Sequence, residues 1–339
     1  MENKFREGDF IETKESLIFD VKGLIHPPRR VIAFIRYFPS ENGDRKRLEK
    51  HYGKVYSLYR RYAWLKENLP DYLVYDPIFD EVLCEVPIEN IKKHYTPVET
   101  VKRLLKAESL DFLEFKALEL TSLLRSSANI SWNAIGVSGS IMVGLHMPSS
   151  DIDLLVYGSE NCRKVYSAIE SLLKDSSCPL KPYSLDELRQ LFDFRSKDTL
   201  MNFEDFVRVE SRKFLQGKFM QTDYYIRFVK DWNEIEENYG DVRYKNFGYG
   251  KIEATVIDDS ESIFTPCTYK IENVKVLEGP NAEPIMEVAS FRGRFCEQAR
   301  KGEKIVAQGK IEQVIKKDGT VYYRLLVGNK PTDYLIPKL

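Results

Sequence analysis

The sequence predicts a mixed α+β protein whose C-terminal part is all β. Up to about residue 259, stretches with the period of an amphipathic helix alternate with short apolar strands. Beyond residue 260, apolar and polar residues alternate in short stretches separated by turns. A chain of 339 residues with 43% hydrophobic residues is long enough for two or three cores. We therefore expect three domains, over residues 1–97, 98–259 and 260–339.

Residues 1–97 are expected to form a small N-terminal α/β domain. Strands are predicted over residues 17–21, 31–37, 72–75 and 81–87. A helix is predicted from about residue 44 to residue 68, and its buried stripe is predicted to consist of Leu48, Tyr52, Val55, Tyr59, Tyr62 and Leu65. Lysines and arginines lie between the tyrosines of this segment, so contact with RNA is an alternative use of the helix.

Residues 98–259 are expected to form the central domain, which begins after Thr96-Pro97. Helices are predicted over about residues 98–124, 159–174 and 202–216, and strands over 135–137, 152–157, 224–229 and 252–257. Strands and helices alternate here, as they do in domains that pack helices against a sheet.

The segment between the first two of these strands carries the most specific pattern in the chain. Val137-Ser-Gly-Ser140 closes one strand, and Asp151-Ile-Asp-Leu154 opens the next. Residues two apart in a strand face the same side, so Asp151 and Asp153 should project together and favour a divalent cation. Gly139 would let a ligand approach the backbone. Ser140 would lie in a short helix whose first amides favour phosphate.

This pattern resembles the signature of the DNA polymerase β superfamily of nucleotidyltransferases. The whole chain also resembles a group of archaeal predicted nucleotidyltransferases of unassigned substrate. The resemblance implies a polymerase-β-like core in which Asp151 and Asp153 bind two Mg²⁺ ions. It also implies that Ser138, Gly139 and Ser140 hold the terminal phosphates of a nucleoside triphosphate. The implied enzyme transfers a nucleoside monophosphate to an acceptor and releases pyrophosphate.

Active members of that superfamily usually carry a third carboxylate on a later strand. Asp223, just before the strand predicted over residues 224–229, is our prediction for this metal ligand. Glu253 is the rival, and a turn or capping role is the structural alternative for Asp223. If neither acid serves, the fold could bind its ligand without catalysis.

Residues 260–339 are expected to form a small OB-like barrel. Strands are predicted over residues 269–277, 284–289, 304–310, 311–316 and 320–327, with Lys317-Asp-Gly319 as a hairpin turn. The net charge of −1 gives no general argument for nucleic-acid binding. Arg292, Arg294, Arg300 and Lys301 nevertheless form a local basic segment that could bind single-stranded nucleic acid.

The leading hypothesis is therefore a magnesium-dependent nucleotidyltransferase that acts on RNA or tRNA. Two alternatives stay open at this point. The acceptor could be a small molecule or a protein, or the chain could be a non-catalytic RNA-binding or regulatory protein on a degenerate nucleotidyltransferase fold.

Other patterns narrow the class of protein. The N-terminal residues lack the apolar stretch of a signal peptide, and no stretch reaches eighteen apolar residues. The five cysteines are scattered without a Cys-x-x-Cys pair, which favours free thiols in a reducing cytoplasm over disulfides or structural zinc. No Gly-Lys-Ser/Thr phosphate loop is present. A calcium loop starting at Asp151 is excluded, because Val156 and Cys162 occupy the positions that require Gly and Glu.

Overall fold

The computed structural model describes residues 4–55, 57–197 and 200–338. Within these residues the chain has a mixed α+β fold with three β-sheets and seven α-helices, which confirms the predicted fold class at this level. The chain divides into two compact units. The first comprises Met1–Val74, Leu83–Pro182 and Phe214–Glu236, and the second comprises Tyr75–Val82, Tyr183–Lys213 and Glu237–Leu339. These units interleave along the chain, whereas the three predicted domains follow one another.

The first sheet lies in the first unit and is built from the N-terminal strands. They are β1 (Phe10–Thr13), β2 (Ile18–Val21), β3 (Arg30–Pro39), β4 (Arg45–Arg47), β5 (Lys50–Lys54), β6 (Leu73–Asp76), β7 (Glu81–Pro87) and β8 (Ile91–Tyr95). The order is β4-β5-β3-β2-β1-β8, and β7 pairs with both β3 and β6. The ends of β6 and β7 that meet at their turn are counted with the second unit. Helix α1 (Leu58–Asn68) contributes Leu65 to the core of this sheet.

The second sheet belongs to the same unit and carries the aspartate pair. Its strands are β9 (Ile135–Val137), β10 (Ile152–Tyr157), β11 (Leu180–Lys181), β12 (Gln216–Phe219) and β13 (Thr222–Val229), in the order β11-β12-β13-β10-β9. The helices around it are α2 (Pro97–Lys106), α3 (Phe112–Ala128), α4 (Gly139–Met142) and α5 (Ser159–Lys174). Strand β10 runs parallel to β13 and antiparallel to β9. Because α3 and α5 contact β10, this strand is covered by helices and is almost entirely apolar.

The second unit contains two helices and the third sheet. These elements are α6 (Leu185–Arg195), α7 (Phe203–Glu210), β14 (Val242–Asp258), β15 (Cys267–Glu278), β16 (Ile285–Ser290), β17 (Lys304–Lys316), β18 (Val321–Leu326) and β19 (Tyr334–Pro337). The sheet order is β14-β15-β16-β18-β17-β19, and β14 also pairs with β17. The sheet therefore curls into a barrel-like form, in which β16 and β18 are parallel neighbours. Its core includes Val256, Val288 and Ile311.

The helix predicted from residue 44 is wrong over its first part. Residues 45–54 form the antiparallel hairpin β4–β5, with Leu48 in the left-handed backbone region at φ 54°. The predicted buried stripe is wrong at Leu48, which is 87% exposed, and at Tyr59, which is 81% exposed. Tyr52 is buried as a strand residue, and Leu65 is buried on the shorter helix α1. Leu48 and Tyr52 are four residues apart, a spacing that fits one face of a helix or one face of a strand, and pairing of β5 with β3 decides between the two.

Two predicted helices of the central domain have other bounds in the structure. The helix over 98–124 is split into α2 and α3, because Asp111 and Glu114 form a capping box that starts a second helix. The helix over 202–216 ends at Glu210, and Gln216 already belongs to β12. Strands β9 and β10 and helix α5 match their predicted bounds, whereas α6 and β19 were not predicted. No helix among the described residues is long and apolar enough to span a membrane.

Candidate functional site

Strand β10 presents the two aspartates on one side of the second sheet. Ile152 and Leu154 are fully buried, and they fix which face of the strand points into the core. Asp151 is therefore exposed just before the strand, and Asp153 is half-buried within it. The structure places both acids at the end of β10 that is nearest the glycine turn, as the sequence predicts.

The glycine turn lies directly against Asp153. Val137 pairs with Leu154, and the amide of Ser138 donates to the carbonyl oxygen of Asp153 at 2.8 Å. Gly139 has φ 63°, and a Cβ at this position would lie 2.0 Å from Oδ2 of Asp153. Only glycine fits here, because any side chain would overlap the carboxylate and would also strain the backbone.

The two serines of the turn differ in their hydrogen bonds. Ser138 Oγ donates to the carbonyl oxygen of Gly8 at 2.8 Å, so its side chain holds the N-terminal segment to the turn. Ser140 Oγ is buried and has no hydrogen-bond partner among the described residues. A buried hydroxyl without a partner is unfavourable, and a phosphate oxygen at the turn would remove that cost.

The aspartates repel each other. Burial, followed by the charge of Asp151, raises the pKa of Asp153 to about 7, although Arg227, Arg36 and Lys54 act in the opposite direction. Two neighbouring carboxylates of this kind are suited to share a divalent cation through their oxygens. The donor set therefore fits Mg²⁺ better than a soft metal.

Comparison with known proteins gives a relative of the whole chain. No family model matches the chain, and no solved structure matches it. The uncharacterized protein MJ1086 of Methanocaldococcus jannaschii is 36% identical over 344 residues, which cover 96% of each chain. The chain belongs to the MJ1086 family. Since the similarity runs through nearly the full length, both compact units belong to the family and not only the aspartate segment.

Three basic side chains near the acid pair of this MJ1086-family chain were not predicted as site residues. Arg36 lies on β3, within the strand predicted over residues 31–37, and Lys54 lies on β5, in the segment that the sequence assigned to a helix. Arg227, on β13, pairs with Glu7 at 2.7 Å and lies 4.0 Å from Asp20. Sequence analysis could not group them, because the first two reach the site only through the pairing of β3 with β5.

The predicted third carboxylate is not part of this group. Asp223 pairs with Lys218 at 3.0 Å, and its side chain is 51% exposed. Tyr225, not an acid, is the β13 residue opposite Asp153. Glu253 lies in the second unit and pairs with Lys338. Among the described residues, no group of three His, Cys, Asp or Glu side chains is arranged to hold a metal.

The basic segment predicted to bind nucleic acid is largely tied into the second unit. Arg292 contacts the carbonyl oxygen of Gly328 at 3.5 Å, and Arg300 contacts that of Arg212 at 3.3 Å. Arg294 is half-buried, whereas Lys301 is exposed. The hydrogen bonds of Arg292 and Arg300 fix the shape of this segment, and nucleic-acid binding through it stays a prediction.

Proposed function

We propose that the protein is a magnesium-dependent nucleotidyltransferase with a polymerase-β-like core in its first unit. The observation that carries the proposal is the contact between the carboxylate of Asp153 and Gly139. This contact places the acid pair, which is suited to a divalent cation, directly beside a turn that is open to phosphate. Either feature alone is common in proteins, but their direct contact matches the requirements of phosphoryl transfer.

The residues of the site would have distinct tasks. Asp151 and Asp153 would hold Mg²⁺, which supplies charge stabilisation for the entering and leaving oxygens. Gly139 leaves room beside the carboxylate, and Ser140 Oγ would donate to a terminal phosphate. Ser138 supports the turn through Gly8 and would meet the ligand with its backbone alone.

RNA or tRNA is the acceptor that we propose. The strand pairings of the third sheet, with β14 joined to β17 and β16 parallel to β18, support an OB-like barrel. Such barrels commonly bind single-stranded nucleic acid. A small-molecule or protein acceptor is the alternative within the same chemistry.

A second candidate function is nucleotide binding without transfer. It is favoured by the position of Tyr225 opposite Asp153 and by the ion pair between Asp223 and Lys218. Two-metal transfer is easier with a third acidic ligand, and here the neighbouring strand supplies a phenol instead.

Label transfer separates the two candidates. The protein is incubated with Mg²⁺, each of the four α-labelled nucleoside triphosphates in turn, and cellular RNA, a protein fraction or a small-molecule fraction. We expect label on RNA with the wild type and none with Asp151→Asn. Asp223→Asn is the matched acid variant, and we expect it to keep transfer, because Asp223 pairs with Lys218 and does not join the acid pair. Metal-dependent nucleotide binding by calorimetry without label on any fraction would favour the binding function. Neither binding nor transfer would refute both.

A further inference from the structure

Three basic residues, Arg36, Arg45 and Lys54, lie on the strands of the N-terminal sheet that pack against the loop between the glycine turn and Asp151. Tyr37 and Tyr52 of these strands pack against Met142, Val143 and Leu145, which directly follow the glycine turn. Strands β3, β4 and β5 therefore lie over the loop that joins the turn to Asp151. The basic residues of these strands are brought to the acid pair by apolar packing.

Arg45 shows how closely the hairpin holds this loop. Its buried guanidinium donates to the carbonyl oxygen of Leu145 at 2.7 Å and lies 3.4 Å from Oγ of Ser150. Ser150 is the residue before Asp151, so β4 touches the loop next to the acids. These contacts give Arg45 a structural role and leave its guanidinium little freedom to bind a ligand.

Arg36 is directed by an irregularity of β3. Ile18 pairs with Tyr37 and Phe19 with Ile35, so Arg36 is the extra residue of a β-bulge. A bulge turns a side chain away from the regular alternation of the strand and is frequent beside active sites. No hydrogen bond or ion pair of the Arg36 guanidinium is found among the described residues, although this residue is half-buried.

Lys54 lies on the strand next to that of Arg36. It is the β5 residue opposite Tyr37, which directly follows Arg36 on β3. Burial, and then the charge of Arg36, lowers the pKa of Lys54 to about 8, while Asp151 and Asp153 act to raise it. The same two acids raise the pKa of Tyr37, after burial, while Arg36 and Arg45 act to lower it. The groups on β3 and β5 and the aspartates thus form one electrostatic cluster.

The charges of this cluster are not balanced for a bare metal ion. Arg227 is paired with Glu7 and Asp20, and the charges of Arg36 and Lys54 together equal those of the two ionised aspartates. A divalent cation alone would therefore leave the cluster with an excess of positive charge. A ligand with several negative charges, bound together with the metal, would remove it. Guanidinium and ammonium groups are the usual partners of phosphate oxygens.

We infer that Arg36 and Lys54 bind the triphosphate of the nucleotide and that metal and triphosphate bind to this site as a single unit. This inference rests on the proposed function, to which it adds the contribution of the N-terminal sheet. The glycine turn would contact the phosphates from one side, and Arg36 and Lys54 would contact them from the other. The acid pair would hold the metal beside the phosphates.

Calorimetry with inorganic tripolyphosphate tests the inference on the full-length chain. The wild type is titrated with tripolyphosphate in Mg²⁺, with tripolyphosphate in EDTA, and with Mg²⁺ alone. We expect the affinity with both components to exceed that of either alone by about tenfold or more. Equal affinity for tripolyphosphate in Mg²⁺ and in EDTA would overturn the coupled binding, and this comparison needs no variant.

Variants test the two side chains. Arg36→Gln and Lys54→Gln should each weaken tripolyphosphate binding by about tenfold or more, because each removes a charge-assisted contact. Lys46→Gln is the matched control, since Lys46 is exposed and lies on the same hairpin, opposite His51 in the pairing of β4 with β5. Arg36→Lys keeps the charge and should restore part of the affinity, even if the glutamine variant folds poorly. Affinities of the Arg36 and Lys54 variants equal to that of Lys46→Gln would overturn the assignment.

The outcomes separate this inference from the proposed function. Label transfer that persists unchanged in Arg36→Gln would overturn the inference and leave the nucleotidyltransferase standing. Coupled binding that depends on Arg36 and Lys54, but without label transfer, would support the inference and favour the binding function.

Discussion

Replacing Asp153 by asparagine should stabilise the protein while it abolishes metal binding. Asparagine has the same shape as aspartate, so it fits against Gly139 without a new clash. It removes a carboxylate that burial and the charge of Asp151 hold in an unfavourable state at neutral pH. Sites that are shaped for a ligand are often strained in this way in its absence.

The magnitude follows from the pKa of Asp153. Its rise from 3.8 to about 7 is a shift of roughly three units, an upper limit of about 4 kcal/mol at alkaline pH. Because Asp153 is only half-buried, solvent screening reduces the expected gain of the asparagine variant to about 1–3 kcal/mol. Between pH 4 and pH 7 the unfolded chain has lost the proton that the folded protein retains. The free energy of unfolding of the wild type therefore falls as the pH rises through that range. Above pH 7 Asp153 lowers it no further.

Urea denaturation of both proteins at pH 4.5 and pH 8 measures the effect. The free energy of unfolding of Asp153→Asn should exceed that of the wild type at pH 8, and the difference should be much smaller at pH 4.5. Asp223→Asn is the control, because Asp223 is exposed and its loss should change stability by no more than about 1 kcal/mol. A gain that is absent at pH 8, or equal at both pH values, would refute the electrostatic account.

Three further substitutions test the supports of the site, each by urea denaturation. Gly139→Ala should cost about 1–3 kcal/mol, because its Cβ would overlap the neighbouring carboxylate at positive φ; no loss would show that the turn can move aside. Arg227→Met should cost about 2–3 kcal/mol, since the buried carboxylate of Glu7 loses its partner at 2.7 Å and keeps Lys22 at 3.0 Å, and Arg227→Lys should cost less. Arg45→Met should cost about 1–3 kcal/mol by leaving the carbonyl oxygen of Leu145 unpaired, and a neutral effect would exclude a clamp by the hairpin.

The N-terminal hairpin shows why local pattern misled the sequence analysis. Leu48 and Tyr52 have the spacing of one helix face, but Leu48 adopts a left-handed turn conformation and β5 pairs with β3. Register and pairing depend on residues distant in the chain, so short segments with ambiguous periodicity are decided by tertiary contacts. The same error hid Arg45 and Lys54, which a helix would have placed elsewhere.

Local chemistry determined the centre of the site. Strand β10 alternates acidic and apolar residues before an apolar stretch, and the glycine in the preceding turn is required by geometry. The sequence alone therefore located Asp151, Asp153 and Gly139 and the two strands that hold them. These features need only the two-residue period of a strand and the conformational freedom of glycine.

Tertiary structure decided what surrounds that centre. The β-bulge at Arg36, the position of Lys54 opposite Tyr37, and the pairing of Asp223 with Lys218 all depend on which strands lie side by side. Charges act through space over several ångströms, so residues more than a hundred positions apart set the pKa of Asp153. Such groupings come from the packing of whole sheets and leave no mark in the local sequence.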